Sequence, residues 1–403
     1  MQLWKRNLYI CWFGAFTTAA GISLVIPFLP LYIEELGIHD IASIEKWSGA
    51  AFGATFLLAA VFSPIWGILA DLKGRKLMLL RASFGTAIIM SLMGLVQNVY
   101  QLVALRLLMG AVSGYISAAT ILVATQTPRE HAGWALGTLS TGLVGGAMLG
   151  PLLGGYLVEI MGIRHIFFVT GVFGFIAFLI TFFFVSEDFK PVLKAKEAKS
   201  SVWKRISNPK VIWALFLTTF MLQFANLSIE PIVTVYVKQL LKNTTHIALI
   251  AGLVVAASGF ANVLAAARIG KISDRVGPQK VLIVSLVIAA TVFIPQAYVK
   301  NVWQLVFLRF AQGIATAGLL PSVNSLVKRL VPQEVVGRIY GYNQSAQYLG
   351  NIAGPVVGSQ MAASFGFKYV FFSTGALLLI NAVWVYFNVK VSSSDYVKLG
   401  NGK

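Results

Sequence analysis

The chain has 403 residues, 57% of them hydrophobic and 11% charged, with a mean hydropathy of +0.78. A soluble domain carries about 25% charged residues, so this composition belongs to a membrane protein and argues against a soluble enzyme. The net charge of +18 would suit a nucleic-acid binder, but its distribution along the chain excludes that reading too.

Apolar runs of roughly 18 to 25 residues are long enough to cross a bilayer, and in lipid such runs must be helices to satisfy their own backbone. Twelve are present, at about 8–32, 47–70, 82–98, 101–124, 134–159 and 165–186, then 211–237, 247–267, 281–298, 302–327, 339–364 and 369–389. The first follows Lys5 and Arg6 and is too long for a signal-peptide core, so it reads as an uncleaved span. Cys11, the single cysteine, lies in it, and no internal disulfide is possible. Residues 187–210, with seven Lys and Arg, form the one long polar segment, either an amphipathic surface helix or a linker.

The segment around Asn98, Gln101, Leu102, Arg106 and Gly110 returns 203 residues later as Asn301, Gln304, Leu305, Arg309 and Gly313. The same offset pairs Gly67, Asp71 and Gly74 with Gly270, Asp274 and Gly277. At 204, Gly150-Pro151 and Gly154 pair with Gly354-Pro355 and Gly358, and Pro27 and Tyr32 with Pro231 and Tyr236. A repeat of half the chain dictates two copies of one unit. The expected architecture is an all-α membrane protein of twelve transmembrane helices in two pseudo-symmetric six-helix bundles, 1–186 and 211–403, joined by a cytoplasmic linker, 187–210.

Alternating the spans puts both termini and the central linker on one side of the membrane. That side carries 24 of the 32 Lys and Arg and the other carries six, while Arg106 and Arg309 fall inside spans. The basic side is therefore cytoplasmic. An arginine in hydrocarbon is costly and marks either a functional pathway or a polar tie between helices. Of fourteen acidic residues, thirteen fall in loops or at span ends, and Glu230 alone lies within a span. A carboxylic acid there can gain and lose a proton as its surroundings change between wet and dry. A neutral hydrogen bond between helices is the other reading. Pro231 beside it removes a backbone donor.

Loop 2–3 contains Gly67, Asp71, Gly74 and Arg75, and the fifth span contains Gly137, Gly146, Gly150, Pro151, Gly154 and Gly155. With the span order and the duplication, these motifs resemble the major facilitator superfamily over the whole chain, and within it the twelve-span drug:proton antiporters. The stretches beginning at Trp4, Pro27, Gly67 and Trp134 look like bacterial multidrug exporters of that family. The resemblance implies that Asp71, with Gly67, Gly74 and Arg75, forms a cytoplasmic latch against a helix N-terminus, and that Asp274 belongs to a second copy. Leu72 and Pro278 stand where the family has basic residues. It implies that Arg106 takes part in proton coupling, with Arg309 as its more structural repeat mate. It also implies that the fifth-span motif seals an exporter against leak; generic close packing of small residues is the plainer reading.

Cavity-facing candidates in that architecture are Tyr32, Tyr115, Gln223, Asn226, Tyr236 and Asn324, together with Tyr340 and Gln344 from the eleventh span. Glu230 and Arg106 are the proton-coupling candidates. His39, His131, His165 and His246 lie at loops or span edges without metal-ligand spacing, so no metal is expected. No phosphate-binding glycine loop is present, so no nucleotide cofactor is expected and a proton gradient is the implied drive. The expected function is proton-coupled efflux of small amphipathic drugs by a monomer in the bacterial cytoplasmic membrane, with both termini cytoplasmic. Two alternatives stay open. One is a carrier for a single solute such as a sugar derivative. The other is a non-transporting sensor or scaffold, in which Glu230→Gln and Arg106→Ala would be silent.

Overall fold

The computed structural model describes residues 2–128, 131–187, 189, 203, 206, 208–241, 246–332 and 335–389, with the side chains of Asp71, Ala132, Asp274 and Gly337 outside that description. Among these residues all regular structure is helical. The first rod is α1 (Leu3–Val25), a 3₁₀ turn (Ile26–Phe28) and α2 (Leu29–Glu35), followed by α3 (Ile41–Lys73) and α4 (Arg75–Met93). The fourth rod is α5 (Val99–Val112) plus α6 (Tyr115–Gln126), followed by α7 (Ala132–Met161) and α8 (Ile163–Phe184). The second repeat begins with α9 (Pro209–Leu227) and α10 (Val233–Leu240), then α11 (Ile247–Val276) and α12 (Pro278–Gln296). It continues with α13 (Val302–Thr316) and α14 (Leu319–Leu330), then α15 (Val336–Phe365) and α16 (Phe367–Asn388).

These are the twelve expected rods. Eleven of the helical stretches are long and apolar enough to cross a membrane. The eleventh rod, α15, has 30 residues but is diluted by Asn343, Gln344, Gln347, Asn351 and Gln360. Several helices start outside their apolar run because a cap, not hydropathy, sets the first turn. Asn98 accepts from the Gln101 amide at 3.0 Å while the Gln101 side chain accepts from the Gln97 amide at 2.8 Å. Asn301, Gln304 and Lys300 repeat both bonds, each at 2.9 Å. Reciprocal capping of this kind fixes a helix start, and it explains why this stretch is among the best preserved between the repeats. Asp40 caps α3 by accepting from the Ser43 amide at 2.9 Å and its hydroxyl at 2.8 Å. Burial costs do not hold this carboxyl up: the Ser43 hydrogen bonds keep it below the usual carboxylate range.

The first and fourth rods of each repeat are broken. The breaks fall at Ile26–Phe28, at Ser113-Gly114, at residues 228–232 and at Ala317-Gly318. Pro27 and Pro231 each remove an amide donor at the break in their own rod. Interrupted helices inside a membrane are tolerated where they line protein or a cavity.

Packing divides the chain into two compact units, Met1–Ala195 with Val233–Ala256, and Lys196–Ile232 with Ala257–Lys403. The repeat boundary lies at 187–210, so the two divisions differ at one segment. Val233–Ala256 belongs to the second repeat by sequence and to the first unit by contact. Specific bonds hold it there. The Thr234 hydroxyl donates to the Pro27 carbonyl, Lys238 pairs with Glu34 at 2.6 Å, and Glu159 receives His246 at 2.7 Å and the Leu249 amide at 3.1 Å. In the first unit α1 packs along α7 and α8, and α3 along α5; in the second, α9 packs along α15 and α12 along α16. Of the 187–210 linker, Trp203 is described, and it stacks on Trp213 and Tyr342 with centroids 5.1 and 5.9 Å away.

Candidate functional site

Glu230 sits in the break between α9 and α10, where Pro231 has already interrupted the helix. Its carboxylate Oε1 lies 3.8 Å from Arg309 Nη2, with the arginine side chain 3% exposed and the glutamate 24%. A charge-assisted hydrogen bond is about 2.7–2.9 Å long, so this pair attracts without being locked. Arg309 Nη1 donates to Gln312 Oε1 at 3.4 Å, and the same oxygen accepts from Gln296 Nε2 at 3.0 Å. Gln296 also donates to the Val292 carbonyl at 3.2 Å. Arg309 Nε and Nη2 have no hydrogen-bond acceptor among the described residues. The result is a chain Glu230–Arg309–Gln312–Gln296, open at the glutamate end and closed at the glutamine end. Chemically it can exchange one proton at Glu230 while Gln312 keeps hold of the guanidinium.

Arg106, the sequence candidate for coupling, is 4% exposed in α5, and its Nε and Nη2 have no hydrogen-bond acceptor among the described residues. The structure therefore gives Glu230 an arginine partner from its own repeat. Gln312 and Gln296 were not singled out from the sequence. The available signal was positional: Gln312 follows Arg309 by three residues and so shares its helix face, whereas the repeat mate is Met109.

The cavity candidates separate into two groups. Tyr32 is fully buried and donates to the Met93 carbonyl at 2.7 Å, and Tyr115 is 2% exposed with its hydroxyl 3.2 Å from Thr181. Both act as ties inside the first bundle. Tyr236 is buried in α10. In the second unit, by contrast, Gln223 donates to Asn351 at 3.0 Å, Tyr340 donates to the Asn324 carbonyl at 2.9 Å, and Gln344 donates to Gln347 at 3.4 Å on an exposed face. Asn226 is half-buried near the break that carries Glu230. The polar surface is thus concentrated on α9, α14 and α15.

The fifth-span glycines serve close approach. A Cβ on Gly146, Gly150 or Gly154 would run into the α1 backbone between Phe16 and Leu24, and one on Gly155 would meet Ala248 and Leu249 at the start of α11. Pro151 lies within α7, and its carbonyl bars a Cβ on Gly252. Gly137 has open space around it. The second repeat reproduces the arrangement, with Gly350, Gly354 and Gly358 of α15 against Phe220 and Phe224 of α9 and Ser228 just after it.

At the loop 2–3 motif, Gly67 has open space, and Gly74 adopts φ +94°, a left-handed turn that admits glycine readily. The amides of Arg75 and Lys76 donate to Glu187 at 2.9 and 2.7 Å, so a carboxylate after α8 caps α4. This glutamate was not foreseen. The expected latch residues Asp71 and Asp274 lie in α3 and α11, but their side chains fall outside the described residues.

Comparison with known proteins gives one answer. The profile of the Major Facilitator Superfamily matches residues 11–267 and 240–400. A multidrug resistance protein MdtG from Dickeya zeae is 47% identical over 392 residues, 97% of this chain and 96% of its own. The MdtG of Salmonella arizonae is 48% identical over 382 residues, 94% and 95% of the two chains. A bacterial homologue of the human lysosomal transporter Spinster superposes with a TM-score of 0.81 at 15% identity, covering 98% of this chain and 99% of that one. The human organic anion transporter MFSD10 does so at 0.68 and 17%, covering 96% and 100%.

Proposed function

The chain belongs to the major facilitator superfamily, and on that premise we propose that it exports amphipathic drugs by alternating access, driven by protons. The observation that carries this is the 47–48% identity, over nearly the whole chain, to multidrug resistance proteins. The Glu230–Arg309 pair supports the proton-coupled part of the reading. A proton on Glu230 discharges the pair, and Arg309 then keeps its hydrogen bond to Gln312. Loss of that proton restores the attraction, so each protonation change alters what the break between α9 and α10 is tied to. One proton moving down 100 mV supplies about 2.3 kcal/mol, and the absence of a phosphate-binding loop from the sequence fits a carrier that needs no nucleotide. The small-residue stripes of α7 and α15 supply close helix contacts suited to excluding leak. In this reading both termini face the cytoplasm, on the side that carries 24 of the 32 Lys and Arg. Arg106 remains a coupling candidate, by virtue of a buried guanidinium with donors to spare.

The test is dye transport by purified protein in liposomes under an imposed pH gradient, comparing wild type with Glu230→Gln. Ethidium or Hoechst movement that collapses with an uncoupler and is absent in the variant supports the proposal. Transport surviving in the variant moves the proton site elsewhere. A carrier for one defined solute is the second reading, favoured by the directional hydrogen bonds from the Gln223 amide to Asn351 and from the Thr219 hydroxyl to Asn343. It is preferred if well-folded protein moves no dye.

A further inference from the structure

The first unit holds an acid that the mechanism above does not use. Glu45 lies in the second turn of α3 and is 0% exposed, and neither carboxyl oxygen has a hydrogen-bond partner among the described residues. It shares a helix face with Ser48, also fully buried, whose hydroxyl is turned back onto the Ile44 carbonyl. The neighbouring Ile44 lines a cavity of about 320 Å³ whose wall also includes Pro30, Glu34, His39, Val235 and Lys238. The Glu34–Lys238 ion pair lies on that wall and joins α2 to α10.

Among the described residues, the charged groups of the elements packed on α3 offer Glu45 no counter-ion. From α2, Glu34 is taken by Lys238 and Glu35 by Arg164. From α5, Arg106 lies deeper along α3, between the Trp47–Tyr100 contact and the packing of Gly110 on Thr55. From α4, Arg75, Lys76 and Arg81 are near the opposite end of α3, beside Gly74 and Trp66. On the approach to α3 and on α3 itself, His39 and Lys46 are exposed and Asp40 is engaged with Ser43. An ionised carboxylate sealed away without a partner is strongly disfavoured, and no group of three metal-ligating side chains surrounds it among the described residues. A proton is the ligand this site fits.

We propose that Glu45 is a second proton-binding site, which holds a proton on a carboxyl oxygen while this end of the first unit is closed and exchanges it with water on the same side when the Glu34–Lys238 pair parts. On closing, the carboxylate takes one proton from that water and seals it in; on opening, the proton returns to the same side. Closure is thereby linked to proton concentration on that side, separately from the exchange at Glu230. The opening step rests on the transporter reading, whereas the sealed site does not.

The test is infrared spectroscopy of the full-length protein in lipid nanodiscs, in a Glu230→Gln background that removes the carboxyl facing Arg309. The expected spectrum has a protonated-carboxyl stretch at neutral pH that exchanges slowly into D₂O. Adding Glu45→Gln removes that band. Lys238→Met, which leaves Glu45 in place, makes the band exchange quickly and follow the bath pH. A spectrum unchanged by Glu45→Gln overturns the site, and slow exchange persisting in Lys238→Met overturns the link to closure. Because the spectrum is read without transport, a failure of dye movement leaves this result standing. Conversely, a missing band beside intact dye movement removes only the second site.

Discussion

Arg106 and Arg309 occupy the same position in the two repeats and are almost equally buried, yet their surroundings differ in kind. Around Arg309 stand Glu230, Gln312 and Gln296. In the register of the repeat, the first half has Ile26, Met109 and Met93 at those three places. Duplication preserved the cation and the glycine one turn after it, while the polar partners are found in the second copy alone. A buried guanidinium without partners is costly, and one with a single labile partner is responsive. The comparison gives the second repeat's arginine an acid to face and leaves the first with an arginine whose Nε and Nη2 have no acceptor among the described residues.

The sharpest way to break this comparison is Glu230→Gln. Gradient-driven dye transport should fall to the level of uncoupled leak, whereas the Ile26→Val change at the equivalent position should leave transport near wild type; vesicle assays of both decide it. If Ile26→Val is the more damaging, the asymmetry is wrong. Next in size are the features the repeats share. Gly154→Val and Gly358→Val drive a side chain into the facing backbone and should each cost about 1–3 kcal/mol. Gly137→Ala, in open space, should stay within about 0.5 kcal/mol. Thermal unfolding in detergent reads all three, and unequal effects of the two valines would show that the stripes are not equivalent.

A smaller effect tests whether Arg106 lacks only an acceptor. Met109→Gln places on its helix face the amide that Arg309 already has, and should raise stability by about 1 kcal/mol, with Gln312→Met lowering it by a similar amount. The smallest effect concerns a cap of the first repeat. The Asp40 carboxyl is held below its ordinary range by Ser43, so its contribution is present at neutral pH and fades as the pH falls through that lowered value. Asp40→Asn should keep the helix cap and flatten the acid side of the stability profile.

Much of the fold was legible because membrane spans are read from uninterrupted apolar length and the repeat supplies an internal check. Glu230 stood out as a carboxylate inside such a run. What was hidden follows from the same logic. Counting from apolar residues starts the second span at Trp47, whereas the Asp40 cap starts the helix at Ile41, so hydropathy puts Glu45 at a span end although it is buried inside the rod. Gln312 and Gln296 look like ordinary polar dilution until their repeat mates, Met109 and Met93, are set beside them. Glu187 caps a helix far from it in sequence, and no local pattern announces such a partner. Tyr32 and Tyr115 read as cavity residues because amphipathic side chains in spans suggest a pore wall, although a buried hydroxyl is equally satisfied by one carbonyl or one threonine.

The strap from Val233 to Ala256 has a consequence for biogenesis. Thr234, Lys238 and His246 complete bonds to Pro27, Glu34 and Glu159, so the first unit is unfinished when its sixth rod leaves the ribosome. Until Lys238 and His246 have been synthesised, Glu34 and Glu159 wait without these partners. Assembly is therefore interleaved, and a chain arrested anywhere before the strap should present to quality-control proteases a first half that is inserted but not yet closed.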